Sequence, residues 1–136
     1  MKNLSRIITI FALLTGTGLA QNNPLVGVWQ ATESDAYGNL AKVELVFTPT
    51  SFTQSAKSSA QQTYEAGPYR ILGGGMLRWY LQQTFPNQQC STVGCSPIYW
   101  PPSEGFFYRL IGANTLQLNP AVCAQNPCPL TYSRVR

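Results

Sequence analysis

The sequence predicts an all-β protein, an eight-stranded antiparallel up-and-down β-barrel, with a two-sheet β-sandwich as the alternative. Three observations carry this expectation. Apolar and polar residues alternate through Leu40 to Thr48, where Val43, Leu45 and Phe47 stand against Lys42 and Glu44, and a period of two is the mark of a half-buried strand. Turn signals built from Gly, Pro and Asn punctuate the chain at short intervals. No segment carries the apolar stripe of a helix: Ser55 to Gln62 tolerates a helical turn but gives it nothing to pack. Consecutive strands with short turns favour a meander, and closure of eight strands removes the exposed edges.

Residues 1–20 read as an export signal rather than as part of the fold. Lys2 and Arg6 flank the start of an apolar run, Ile7 to Leu14, and Gly18-Leu19-Ala20 puts small residues where signal peptidase reads. The run is too short to span a bilayer, which needs roughly twenty apolar residues. No cysteine follows it to take a lipid, so no stable membrane anchor is expected. Residues 21–136 then form one domain, secreted or periplasmic. Loss of Lys2 and Arg6 lowers the net charge from +4 to +2. No run of Lys or Arg remains, which argues against nucleic acid as a partner.

The elements follow in order. Leu25 to Glu33 is β-prone and ends at the turn signal Asp35-Ala36-Tyr37-Gly38-Asn39. Leu40 to Thr48 is the second strand, and Pro49-Thr50 turns the chain into a third, Ser51 to Lys57. After a polar stretch, Thr63 to Leu72 is the fourth. Gly73-Gly74-Gly75 supplies the positive backbone angles of a hairpin into the fifth, Met76 to Phe85. Glu104 to Ile111 and Thr115 to Asn119 are the sixth and seventh, joined through Gly112-Ala113-Asn114, and Leu130 to Val135 is the eighth. The more apolar sets are assigned inward: Leu77, Trp79, Leu81 and Phe85 in the fifth strand, and Phe106, Tyr108 and Leu110 in the sixth. Aromatic residues on both faces of these strands leave their register open.

All four cysteines lie beyond the export segment, as Cys90-x4-Cys95 and Cys123-x4-Cys128. An exported chain favours two disulfides over a zinc site, whose paired cysteines usually stand closer. Of the three possible connectivities, one bridge within each pair is favoured.

The opening Leu25-Val26-Gly27-Val28-Trp29 and the closing Leu130-Thr131-Tyr132-Ser133-Arg134-Val135 resemble the Gly-x-Trp start and the basic last strand of lipocalins and their calycin relatives. The resemblance implies that the first and last strands are neighbours in a closed barrel. It also implies that Arg134 lies on the Trp29 indole as a cation–π contact, with Gly27 allowing close approach. These three are read as structural residues.

In that topology the loops Pro86 to Ser103 and Pro120 to Pro129 share the end opposite Trp29. They are the longest connections and hold one cysteine pair each, and long ordered loops often carry function. Pro97-Ile98-Tyr99-Trp100-Pro101-Pro102 would offer rigid aromatics for binding, or Tyr99 and Trp100 would fold back as a lid. Arg78 with Tyr80, and Arg109 beside Tyr108, are candidate ligand contacts. An inward arginine would meet an anionic headgroup, as in fatty-acid-binding relatives, while an outward one is ordinary surface.

Catalysis is not expected. The chain has no histidine, hence neither the usual base near neutral pH nor the commonest metal ligand. Bridged cysteines leave no thiol, no serine sits in a Gly-x-Ser-x-Gly elbow, and the five acids are scattered, with only Glu33 and Asp35 close in sequence and read as ordinary solvated charge beside a turn. No cofactor or metal is expected. The function expected by fold analogy is carriage or sequestration of a small apolar or amphipathic ligand. The alternative is a protein partner, bound by an inhibitor or envelope assembly factor through residues 97–102.

Overall fold

Alternation in the second strand becomes architecture directly: Ala41, Val43, Leu45 and Phe47 are buried, while Leu40, Lys42 and Glu44 between them are exposed. The same division of faces runs around the molecule. The computed structural model describes residues 23–34 and 37–135. The export segment expected over residues 1–20, and Asp35 and Ala36 of the first turn, lie outside the described residues.

The strands are β1 (Gly27–Ser34), β2 (Leu40–Phe47), β3 (Ser51–Lys57), β4 (Gln62–Leu72), β5 (Met76–Tyr80), β6 (Gln83–Phe85), β7 (Gln88–Ser91), β8 (Gly94–Pro97), β9 (Ser103–Ile111), β10 (Thr115–Pro120) and β11 (Leu130–Val135). Hydrogen bonding runs β3-β2-β1-β11-β10-β9-β5-β4, and a further β3–β4 ladder closes the ring. The result is the expected closed eight-stranded antiparallel barrel, not the sandwich. Strands β7 and β8 form a separate hairpin inside what reads as a loop in the sequence. The one helical element among the described residues is a 3-10 turn, Ala121–Cys123.

The first and last strands pair, with Trp29 opposite Arg134. The guanidinium carbon lies 4.2 Å from the indole centroid. Its three nitrogens donate to backbone carbonyls: Nε to Ala113 at 2.8 Å, Nη1 to Val26 at 2.9 Å and Nη2 to Pro24 at 2.8 Å. One side chain therefore ties β11 to the β9–β10 turn and to the segment entering β1. Gly27 makes room for it, since a Cβ there would sit 2.6 Å from Arg134 Nη1, and its φ of +144° disfavours any side chain. Trp29 donates its own Nε1 hydrogen to Leu25 O, and Leu25 is fully buried beneath it. This end of the barrel is closed.

Above it the interior is filled. Val43, Leu45, Phe47, Phe52, Leu77, Trp79 and Leu116 are all essentially inaccessible. Trp79 stacks on Phe52 with ring centroids 4.3 Å apart and meets Phe106 at the same distance. Each such side chain contributes about 1.5–3 kcal/mol by leaving water.

The fifth strand differs from its expectation. Met76 to Phe85 is not continuous but breaks at Leu81-Gln82, and β4 pairs with both halves. Tyr69 stands opposite Trp79, but Ala66 stands opposite Gln83, so one extra residue is inserted, as in a β-bulge. The inserted residue reverses the alternation. Thr84, opposite the inward Glu65, takes the interior position, and Phe85, expected inward, is 54% exposed. Gly67 allows the crossing: a Cβ there would lie 1.7 Å from Tyr80 O.

Two outcomes are expected from urea denaturation. Arg134→Ala loses about 2–4 kcal/mol through the cation–π contact and the charge-assisted carbonyl bonds, and Arg134→Lys restores only part, having no fork. Gly67→Ala, which must push backbone against backbone, loses at least about 3 kcal/mol.

Candidate functional site

Along each wall the inward-facing residues change character from the closed end to the open one. On β1 the series is Trp29, Ala31, Glu33; on β9, read the opposite way along the chain, it is Leu110, Tyr108, Phe106, Glu104. The apolar filling thus gives way to carboxylates at the mouth. Beneath that rim lies a cavity of about 320 Å³. Trp79, Phe106, Leu118, Pro120 and Leu130 supply its apolar wall, and Glu33, Gln54, Glu104 and Tyr132 its polar one, with Cys128 at the edge. A larger depression of about 510 Å³ on the outer face of β1 and β2 is lined by Gln30, Thr32, Lys42, Glu44 and Ser133. Ala31 and the buried Val43 also border it, but its polar residues are all solvated strand positions. The interior cavity is the candidate site.

Its polar side is a hydrogen-bonded series. Tyr132 donates from its hydroxyl to Gln54 Oε1 at 2.9 Å, and Gln54 donates from Nε2 to Glu65 Oε1 at 3.3 Å. Glu65 is only 7% exposed. Burial, followed by the negative charge of Glu104, raises its carboxyl to about 7. Burial also raises Glu104 and Glu33 above the ordinary carboxyl value. Tyr132 is held well above the usual phenol range, first by burial and then by the charges of Glu33 and Glu65. The lining includes no lysine or arginine. On the apolar side, Trp79 is 1% exposed and its Nε1–H is buried without an acceptor among the described residues.

The residues singled out in the sequence fall elsewhere. Arg78 lies on the outer face, donating from Nη1 to Ser103 Oγ at 2.9 Å, with its guanidinium over Gly105. Tyr80, two positions on, shares that outer face, and Arg109 projects outward and is exposed. Among the described residues no arginine lines the cavity. Tyr108 does turn inward, half-buried against the core but below the cavity. Tyr99 is 82% exposed, whereas Trp100 is partly buried and donates its Nε1 hydrogen to Pro86 O at 2.8 Å, clasping the base of the β7–β8 hairpin. Neither lines the cavity.

The expected disulfides form within each pair. Cys90–Cys95 crosses β7 to β8, and Cys123–Cys128 spans the β10–β11 connection. Both loops stand at the mouth, as the topology requires. Two disulfides suit an oxidising compartment. Among the described residues no helix is long and apolar enough to cross a membrane.

Sequence reasoning read Glu33 as solvated charge, and it is exposed, but did not single out Glu104 or see that both border the cavity. A signal was present: Glu33 and Glu104 each lie in step with inward apolar residues two and four positions away, the parity of an interior side chain.

Glu65 gives the site a pH signature. The folded protein holds this proton up to about pH 7, against 4.5 for an ordinary carboxyl. Its contribution to stability is therefore fully present below pH 4.5 and is lost as pH rises through 7. Glu65→Gln is expected to be more stable than the parent by on the order of 1–3 kcal/mol at about pH 8, and to differ little at about pH 4. Urea denaturation at the two pH values checks this. Comparison with known proteins finds no matching family model and no matching curated protein.

Proposed function

We propose that this is an exported binding protein, not an enzyme, which carries or sequesters a small amphipathic molecule at the open mouth of its barrel. The observation that carries the reading is the cavity of about 320 Å³ between an apolar wall and a polar rim, in a barrel otherwise filled by its own side chains. Ligand cavities usually begin at roughly 300 Å³, so the occupant is small. The apolar filling below the cavity argues against a long acyl chain, and the acidic lining argues against a fatty-acid carboxylate.

The fold supports the reading by analogy. The clasp of Arg134 on Trp29, the glycine beneath it and the pairing of first and last strands are what a lipocalin-like or wider calycin relationship would require. Export to the periplasm or the medium accords with the two disulfides and with the signal read in residues 1–20.

A second reading has one observation in its favour. Tyr99 is 82% and Val93 95% exposed, both in the disulfide-bonded segment between β6 and β9, and exposed apolar side chains at a rigid loop suit a protein partner.

Native mass spectrometry of the purified protein, with small-molecule analysis of its denatured extract, separates the two readings. The carrier reading expects a stoichiometric small molecule that changes tryptophan fluorescence when added back, Trp79 being on the cavity wall. An empty protein whose fluorescence does not respond to amphipathic probes would reject it. A partner captured by the parent and lost with Tyr99→Ser would establish the second reading.

A further inference from the structure

The outer wall of β4, β5 and β9 gathers positive charge without a counter-charge. Arg70 on β4 stands directly opposite Arg78 on β5, so both guanidinium groups rise from one face of the sheet, and like charges so placed repel. Arg109 adds a third on the outer face of β9. The acids among the described residues lie elsewhere: Glu33 and Glu44 on β1 and β2, and Glu65 and Glu104 on the inner face. Arg78 is also held in place. Its Nη1 donates to Ser103 Oγ at 2.9 Å, and its Nη2 lies 3.0 Å from where a Cβ on Gly105 would stand, so glycine there gives the guanidinium its seat. A second like-charged pair in register, Lys42 and Lys57, differs in having Glu44 two positions along the same face.

The next row of the wall is apolar. Leu72 stands opposite Met76 and Met76 opposite Phe107, and Leu72 and Phe107 are each 39% exposed. Tyr80 flanks the arginines on the other side. A depression of about 270 Å³ is lined by Phe107, Arg109, Gln117, Asn119 and the Gly74-Gly75 turn. Charged and apolar side chains therefore follow each other in rows across one broad surface. Because β5 is paired on both sides, with β4 and β9, this wall offers no free backbone edge to an added strand. Exposed aliphatic side chains between the arginines add nothing to recognition of a nucleic-acid backbone. They suit a lipid surface, where arginine meets phosphate and the apolar side chains between enter the headgroup layer.

We infer that this wall rests reversibly on an anionic phospholipid surface, with Arg70, Arg78 and Arg109 on lipid phosphates and Leu72, Met76 and Phe107 among the headgroups. The contact is peripheral and weak, since each arginine near such a surface contributes roughly fivefold in affinity. The wall is separate from the cavity at the mouth, and the contact stands whatever that cavity holds.

Co-sedimentation of the purified protein with vesicles tests this. Phosphatidylcholine vesicles carrying about one-third phosphatidylglycerol are expected to bind at least about tenfold more tightly than phosphatidylcholine alone, and less so as salt rises from about 0.05 to about 0.5 M. Arg70→Gln combined with Arg78→Gln is expected to weaken that binding about tenfold or more. Lys42→Gln combined with Lys57→Gln removes the same charge from another wall and is expected to change it less than about twofold. Phe107→Ser, a surface change that leaves the charge intact, is expected to lose several-fold. Equal losses from the arginine and lysine pairs would make the attraction one of net charge and overturn the assignment to this wall. Failure to bind the anionic vesicles would overturn it too, as would binding of inorganic phosphate or duplex DNA at the arginine pair without binding of the vesicles.

Discussion

The cross-strand clasp of Arg134 on Trp29 fixes where this barrel begins and ends. A meander of eight strands closes only if its first and last members find each other in one register, and here a single guanidinium spans the seam. It lies on the indole of β1 while binding carbonyls from the entering segment and from the β9–β10 turn. Because side chains alternate along a strand, a slip of one residue would turn every core position of β11 outward. The clasp sets that parity, and the apolar filling of Leu25, Leu45, Leu77 and Leu116 follows from it. Closing one end so tightly leaves the other as the place where the barrel opens.

The bulge at Leu81-Gln82 shapes that open end. An uninterrupted fifth strand would carry Phe85 into the interior beside Trp79. The inserted residue instead presents Thr84 opposite Glu65 and sends Phe85 to the surface. A small polar side chain thus replaces a ring where the cup widens. Gly67, the one residue that tolerates Tyr80 O so close, makes this change of direction sterically affordable. Backbone geometry, and not only composition, keeps the mouth polar.

Much of the fold was legible in the sequence because period-two alternation and turn residues act locally. Val43, Leu45 and Phe47 announced their strand, and Gly73 to Gly75 announced its hairpin. Gly27, Trp29 and Arg134 were legible through resemblance and stand where it implied. The bulge was not legible, since it depends on how closely β4 approaches Tyr80, and no local pattern encodes that distance. The site was least legible of all. Glu33, Glu65 and Glu104 are far apart in the chain, and an acid in a strand is ordinarily a solvated one. Only closure of the ring brings them to one cup. Arg78 and Arg109, attractive as charged neighbours of aromatics, belong to the outer alternation and have no way in.

Each disulfide joins cysteines five positions apart, and each stays within a single connection between barrel strands. Loops so short lose less entropy in the unfolded chain when cross-linked than long ones do, about 2 kcal/mol apiece. Neither bridge fastens one barrel strand to another. The wall is held by its backbone ladders and aromatic filling, and the bridges stiffen only the entrance. Reduction breaks bonds only at the lip of the vessel, while the ladders between its staves hold none to break.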